Sequence, residues 1–336
     1  MIPLQNHRLL RLIKNSPFRW DVVVHMNNFF KKQSAIAAIV TTYEPKIETL
    51  QDQFRRLQDQ VELLLVVDNG SSNSSEVAEI VSQYPFAQFI GAPENQGLGW
   101  AHNEGIRRVL AMGAGAVLLL DQDSLPRDDM VANLDQALNH QRQLGIRVAA
   151  VGARYLGTDV GHPSYFVQFG RLRFSRCYCA AHQTELIPAD MLISSGTLFS
   201  REALETVGLM DADLFIDHLD TEWFLRAQSA HWKSFGVCAA VMDHGLGERT
   251  ARLWLGRWRY LPVHQPFRYY YIYRNSVLLW RRAYPSQRWK LTDMLRLTKM
   301  FFVFGLFVGN RFKNFQMMTR GLRDGFRGRA GPLRPI

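Results

Sequence analysis

Four predominantly apolar runs, spaced along residues 35–120, constrain this chain more than any other feature. They are 35–41 (AIAAIVT), 61–67 (VELLLVV), 86–90 (FAQFI) and 116–120 (AVLLL). A strand with one wet face alternates apolar and polar residues; the longer runs do not, so they read as strands buried on both faces of a parallel sheet. Between them, Ile47, Leu50, Phe54 and Leu57 have helical spacing. A second helix is predicted over 76–83 with Ser75 as its N-cap, and a third over 100–112, after the glycine-bearing loop 95–99. Strand–helix alternation over about ninety residues is the pattern of a doubly wound α/β sheet. Ligands in such sheets collect at the carboxyl ends of the strands. Three of the runs end in polar clusters: Thr41-Thr42-Tyr43, Asp68-Asn69 and Asp121-Gln122-Asp123. Downstream, helices are expected over 128–143, 202–207 and 220–229, and strands over 148–155 and 193–200. Short antiparallel strands and loops are expected over 156–187, and helices from 251 onward.

The chemistry-bearing clusters narrow the function. Asp121 and Asp123 follow a buried strand and point to the same side of its end; paired hard carboxylates there suit Mg²⁺ or Mn²⁺, and a solvated acidic turn is the plain alternative. The missing motifs matter equally. No GxGxxG follows the first strand, and neither a GxxxxGK[ST] loop nor a GxSxG elbow occurs. This weighs against dinucleotide enzymes, P-loop NTPases and α/β-hydrolases. Asp68 either accepts the imide N–H of a pyrimidine or caps the turn beyond it. Residues 215–223 (FIDHLDTEW) place four titratable side chains within six positions, fit either for a general base or for favourable acids at a helix N-terminus. His244 follows the apolar run 237–242 and either ligates a metal or caps a strand.

The net charge of +10 is unevenly divided. Residues 251–336 carry 18 Lys/Arg against Asp293 and Asp324 alone, residues 1–34 are also basic, and residues 35–250 carry a net −11. A body this acidic is a poor nucleic-acid platform, so any electrostatic partner belongs to the basic region. There, arginines interleave with Trp254, Trp258, Tyr260, Tyr269, Tyr270, Tyr271, Tyr273 and Trp280. That mixture fits an anionic membrane surface, with a helical cap on the body as the competing reading; nucleic acid is the least favoured. No run reaches the roughly 18 apolar residues of a spanning helix; the longest candidate, 300–308 (MFFVFGLFV), reads as a core or interfacial segment. The three cysteines, Cys177, Cys179 and Cys238, read as reduced thiols. Residues 1–34 read either as a basic leader or as the product of an upstream start, with Met26 the true initiator.

VTTYEP (40–45), VVDNGSS (66–72), ENQGLGWAHNEGI (94–106), LLLDQDS (118–124), ISSGTLFS (193–200), LFIDHLDTEWFLRA (214–227) and DHGLGE (243–248) occur in this order. With them the chain resembles inverting family 2 glycosyltransferases of the GT-A fold, and more narrowly bacterial rhamnosyltransferases of polysaccharide and O-antigen assembly. The resemblance implies a GT-A catalytic domain over 35–250 and a C-terminal membrane- or acceptor-associated region over 251–336. It implies a donor pocket containing Thr41, Tyr43, Glu44, Asp68, Asn95, Gly97, Asn103 and Asp121, with Gly97 permitting close backbone approach. Asp121, Asp123 and His244 become metal ligands for Mg²⁺ or Mn²⁺. Asp220 becomes the catalytic base and Glu222 the second acid, while Trp223 and Arg226 are packing residues. The implied donor is a nucleotide-sugar, dTDP-L-rhamnose before a UDP-hexose. The implied acceptor is lipid-linked or a growing saccharide, at the cytoplasmic face of the membrane.

Overall fold

The protein is described by a computed structural model covering residues 35–157, 164–170, 173–180, 186–244, 250–254 and 258–334. The expected leader, residues 1–34, and most of the DHGLGE segment, residues 245–248, lie outside the described residues.

The first half alternates as expected: β1 (Ile36–Thr42), α1 (Ile47–Leu57), β2 (Leu63–Asp68), α2 (Ser74–Ser82), β3 (Ala87–Gly91), α3 (Leu98–Ala111) and β4 (Ala116–Asp121). These strands are parallel, in spatial order β3-β2-β1-β4. Leu50, Phe54, Leu57 and Val77 pack on one face of the sheet and Ala101, Ile106 and Val109 on the other. Every residue of β1 and β2 is therefore buried, which is why neither strand alternates. Strands β1, β2 and β4 end on the polar residues Thr42, Asp68 and Asp121, and the register sets Thr42 against Asp68 and Thr41 against Asp121. One detail differs from expectation. Helix α2 starts at Ser74 with Asn73 in the cap position, and no side chain caps it.

The second half begins with β5 (Ser124–Pro126), α4 (Met130–Gln143), β6 (Val148–Gly157), β7 (Tyr165–Phe169), β8 (Phe174–Tyr178), β9 (Leu186–Ala189) and β10 (Thr197–Ser200). Then come α5 (Arg201–Val207), a 3₁₀ turn at Ala212–Leu214, α6 (Leu219–Ser229) and β11 (Lys233–His244). Strand β10 enters antiparallel between β4 and β6, and β11 runs parallel to β6. Strands β7 and β8 form a separate hairpin. The predicted strand over 193–200 is shorter than expected: only Thr197–Ser200 pairs in the sheet, and 193–196 is a loop held by Gly196 N–H donating to Leu119 O at 2.8 Å. The reduced-thiol reading of the cysteines is corrected. Cys179 and Cys238 form a disulfide between the segment after β8 and strand β11, leaving Cys177 as the free thiol.

Residues 251 onward do not start as helix. β12 (Thr250–Trp254) and β13 (Trp258–Pro262) pair as an antiparallel hairpin, and α7 (Pro266–Trp280), α8 (Gln287–Phe302), a π-helical turn at Val303–Phe307 and α9 (Arg311–Phe326) follow. Tyr269, Tyr270, Tyr271 and Tyr273 are buried rather than displayed. Residues 269–277 of α7 are all buried, the polar Arg274, Asn275 and Ser276 among them. Helix α9 crosses it closely through Gly321 and Gly325; a Cβ on Gly321 would lie 2.4 Å from Tyr270 O, and one on Gly325 2.8 Å from Arg274 O. No helix among the described residues is long and apolar enough to cross a membrane.

Candidate active site

The carboxyl ends of β1, β2 and β4 meet along one edge of the sheet, as the polar strand ends predict. Asp68 is fully buried there and accepts from Thr42 Oγ1 at 2.8 Å, Ser71 N at 3.0 Å and Ser71 Oγ at 2.5 Å. This is the geometry of the turn-capping alternative. Glu44, at φ +49°, accepts from Ser72 N and Oγ at 2.7 Å each, and these bonds hold its carboxyl below the usual range. Tyr43 is exposed, and its main chain is clamped by the Gln122 side chain, which accepts from Tyr43 N at 2.7 Å and donates to Tyr43 O at 3.2 Å. Thr41 is buried beside Asp121, with which it is in register. Asn95 Oδ1 accepts from Asn69 Nδ2 at 3.1 Å and from Gly97 N at 2.9 Å, closing the loop that precedes α3.

Two expected donor residues do other work. Gly97 sits at φ +90°, and a Cβ there would lie 2.6 Å from the Phe215 ring and 2.8 Å from Phe215 O. The close approach it permits is to Phe215. Asn103 is buried and spends its amide on the Met210 main chain, donating to O and accepting from N at 2.8 Å each. The structure does not bring it to the strand-end edge.

Around Asp121 the structure adds residues whose roles the sequence did not signal. Gln53, buried on α1, donates to Asp121 O at 2.8 Å and Ser124 O at 2.6 Å, fixing the Asp121–Asp123 turn from beneath. Ser195 Oγ accepts from Asp121 N at 2.9 Å and bonds Ser124 Oγ at 2.7 Å. Its neighbour Ser194 donates to Asp220 through side chain and main chain. The buried pair Ser194-Ser195 thus links the Asp121–Asp123 turn to the N-terminus of α6. The Asp220 carboxyl is raised to about 6, mainly by burial; the charges of Asp121 and Asp217 add to the rise and the Ser194 bonds oppose it. Asp121 and Asp220, separate in sequence, therefore share one electrostatic environment.

The segment entering α6 is strained. Phe215, Asp217 and His218 all have φ between +61° and +65°, without a glycine among them. Such conformations persist only where the surroundings over-determine them, and here α7 does so. Asn275, fully buried, donates from Nδ2 to Leu214 O at 3.0 Å, Ile216 O at 2.8 Å and Asp217 O at 2.9 Å. Arg274 donates to Leu214 O at 2.9 Å and stacks on Tyr271 at 4.8 Å, and Arg268 pairs with Asp217 at 2.6 Å. His218 Nε2 lies 3.0 Å from Ser276 Oγ.

Glu222 is not brought to Asp121 and Asp220. It is fully buried, forms a two-pronged ion pair with Arg226 at 2.8 Å on each prong, accepts from Tyr284 OH at 2.6 Å and has Arg282 at 3.6 Å. Its place is in an ionic cluster that ties α6 to the loop after α7. Trp223 is buried core, and Arg226 also donates to Val207 O at 2.6 Å and Leu209 O at 2.7 Å.

The strand-end edge suits a hard divalent cation. Asp121 and Asp123 supply oxygen donors from one turn, and the Asp121 charge already presses on Asp220, so a cation there relieves a repulsion. The register puts His244 opposite Ser124, next to Asp123 in the chain; its side chain lies outside the described residues. Among the described residues no three His, Cys, Asp or Glu side chains converge as a complete ligand set. A cavity of about 440 Å³ opens between the β7–β8 hairpin and α8, with His218 and Thr221, which flank Asp220 in the chain, in its wall and Arg173, Arg176, Arg296 and Lys299 around it.

The family 2 glycosyl transferase model matches residues 37–208, and the chain belongs to that family. It is a glycosyltransferase of mixed α/β GT-A architecture. Among curated proteins it is 29% identical over 256 residues to the dTDP-rhamnosyl transferase RfbF of Shigella flexneri, covering 74% of this chain and 81% of that one. It is 28% identical over 251 residues to the galactofuranosyltransferase GlfT1 of Mycobacterium tuberculosis, covering 72% and 81%. Among solved structures it resembles S. aureus TarS 1-349 with TM-score 0.53 and 13% identity, over 88% of this chain and 92% of that one. It also resembles GalNAc-T7 bound to UDP, GalNAc and Mn²⁺, with TM-score 0.54 and 10% identity, over 89% of this chain and 57% of that one. At these identities the structural likenesses bear on the fold alone.

Proposed function

We propose that this glycosyltransferase transfers L-rhamnose from dTDP-L-rhamnose to a hydroxyl of a lipid-linked or growing saccharide acceptor, with inversion at the anomeric carbon. The observation that carries the reading is the convergence of Asp121 and Asp220, joined by Ser194-Ser195, at the carboxyl end of β4. The donor lies over the ends of β1, β2 and β4, between the Tyr43-Glu44 turn and Asn95. Asp68 shapes that pocket by holding the 68–71 turn; its Oδ2 accepts only from Ser71 N, which leaves acceptor capacity for the imide N–H of the base. Asp121 and Asp123, with His244 the expected third ligand, would hold Mg²⁺ or Mn²⁺, which neutralises charge on the departing nucleoside diphosphate.

Asp220 takes the proton from the acceptor hydroxyl, which enters from the cavity beside Thr221 and attacks the anomeric carbon opposite the leaving diphosphate. The C–O bond to the acceptor forms as that to the diphosphate breaks. This is the opposite-face logic of inverting glycosidases, with an acceptor hydroxyl in place of water and no covalent enzyme intermediate. The sugar preference draws on the similarity to RfbF, and a UDP-hexose donor is the second reading.

A thermal-shift panel tests the choice. With Mn²⁺ present, dTDP-L-rhamnose should raise Tm more than UDP-GlcNAc or UDP-galactose, and chelation should remove the gain. A larger shift with either UDP-sugar overturns the rhamnose assignment.

A further inference from the structure

We infer that the elbow between α8 and α9, residues 291–315, is a docking face for an anionic lipid bilayer. Of the large hydrophobic side chains exposed among the described residues, eight fall in these 25 positions: Leu291, Met294, Leu295, Phe302, Leu306, Phe307, Phe312 and Phe315. The two most exposed of these eight are Phe312 at 79% and Phe307 at 65%. They form one surface. Positions 291, 294, 295 and 302 recur at intervals of three, four and seven and share a face of α8. The Phe301 ring bridges that face to α9, 6.1 Å from Phe302 and 5.2 Å from Phe315, while Leu306 and Phe307 project from the π-helical turn between the helices. The opposite side is satisfied, because Leu297, Phe304, Val308 and Met318 pack with Tyr269 and Tyr273. The outward side chains are thus left over after the core is complete.

Charge selects the occupant. Arg288, Lys299, Arg311 and Lys313 are exposed around the apolar residues. The region's two acids are buried and paired, Asp293 with Arg296 at 2.7 Å and Asp324 with Arg329 at 3.1 Å. An apolar patch rimmed by cations and without an exposed carboxylate among the described residues matches a bilayer whose headgroups are anionic and whose acyl boundary accepts Phe and Leu. The tyrosines of α7, which the sequence offers as membrane contacts, are buried, so the face lies on different residues. Leu295 and Lys299 of this face, with Trp289 and Arg296 of the same helix, also line the cavity beside Thr221. Docking through the elbow therefore sets that cavity beside the lipid surface. The inference stands without the transfer reaction, since it is tested without any sugar donor.

The experiment is co-sedimentation of the full chain with vesicles of phosphatidylethanolamine and phosphatidylglycerol at 3:1, against vesicles of phosphatidylcholine. The chain should pellet with the anionic vesicles at least tenfold more than with the zwitterionic ones, and 0.5 M NaCl should weaken binding. The F302S/F307S/F312S triple variant should lose at least tenfold in partition with Tm unchanged, and K299Q/R311Q/K313Q should lose the preference for anionic vesicles. Equal pelleting with both vesicle types, or wild-type partition by the phenylalanine variant, overturns the inference. So does a concentration-dependent dimer that the same triple variant dissolves, because the face would then belong to a second copy of the chain.

Discussion

Asp220 and Glu222 are two residues apart in sequence and stand in opposite environments. The Asp220 carboxyl is pushed up to about 6 by burial and by Asp121 and Asp217, against an ordinary value of 3.8. Because the folded value lies above the unfolded one, the favourable contribution is full below about pH 4 and is lost as pH rises through about 6. At pH 7.5 the ionised group is a cost to the fold. D220N in metal-free buffer should therefore raise Tm at pH 7.5 by about 2–6 °C, with the gain shrinking toward pH 4, as scanning calorimetry would show. The same variant should lose about 10²–10⁴-fold in transfer rate, as expected of a general base. Glu222 should behave in the reverse way. E222A leaves Arg226 and Arg282 without their buried partner, at a cost of about 3–5 kcal/mol, so thermal melting should show a large loss. E222Q, if it folds, should keep kcat within a few-fold; a folded E222Q without activity would restore Glu222 to the reaction. Both acids are conspicuous in the sequence, but which one faces the site is decided by Arg282 and Tyr284, some sixty residues away. Ser194 and Ser195 were harder still to read, since a serine pair carries meaning only once its partners are known.

At the scale of elements, the strand ends were legible because burial on both faces removes alternation, and the polar residues ending β1, β2 and β4 are where the backbone leaves the sheet. The entry to α6 was not legible. Nothing in FIDH announces three left-handed residues, and glycine, the usual signal, is absent. The conformation is imposed by Asn275 and Arg274 from α7, itself hard to place because its aromatic residues suit either a surface or an enclosed helix. N275A strips three carbonyls of their donor, at about 2–4 kcal/mol. It should lower Tm by several degrees and reduce kcat by about 10–100-fold, with donor affinity, read by calorimetry, changed less than threefold. A proportional loss of donor affinity would mean that Asn275 supports the fold at large rather than the placement of Asp220.

For the whole molecule, the division of charge has an internal explanation as well as an external one. Cations of the C-terminal region pair with acids of the body: Arg268 with Asp217, and Arg282 with Asp211 and Glu222. Buried Arg274 and Asn275 meet body carbonyls. The region after residue 262 thus completes the site as well as presenting the lipid-facing elbow, and calorimetry of the full chain should show one cooperative transition. Two well-separated transitions would contradict this. The central claim, an inverting glycosyl transfer driven by Asp220 beside Asp121, is tested most directly by sugar transfer. Labelled dTDP-L-rhamnose, Mn²⁺ and a lipid extract supplying acceptor are incubated with wild type and with D220N at saturating donor. The account predicts labelled lipid-linked product of inverted configuration from wild type, and at least 10²-fold less from D220N with donor binding retained. Product of retained configuration, or near-normal transfer by D220N, would contradict it.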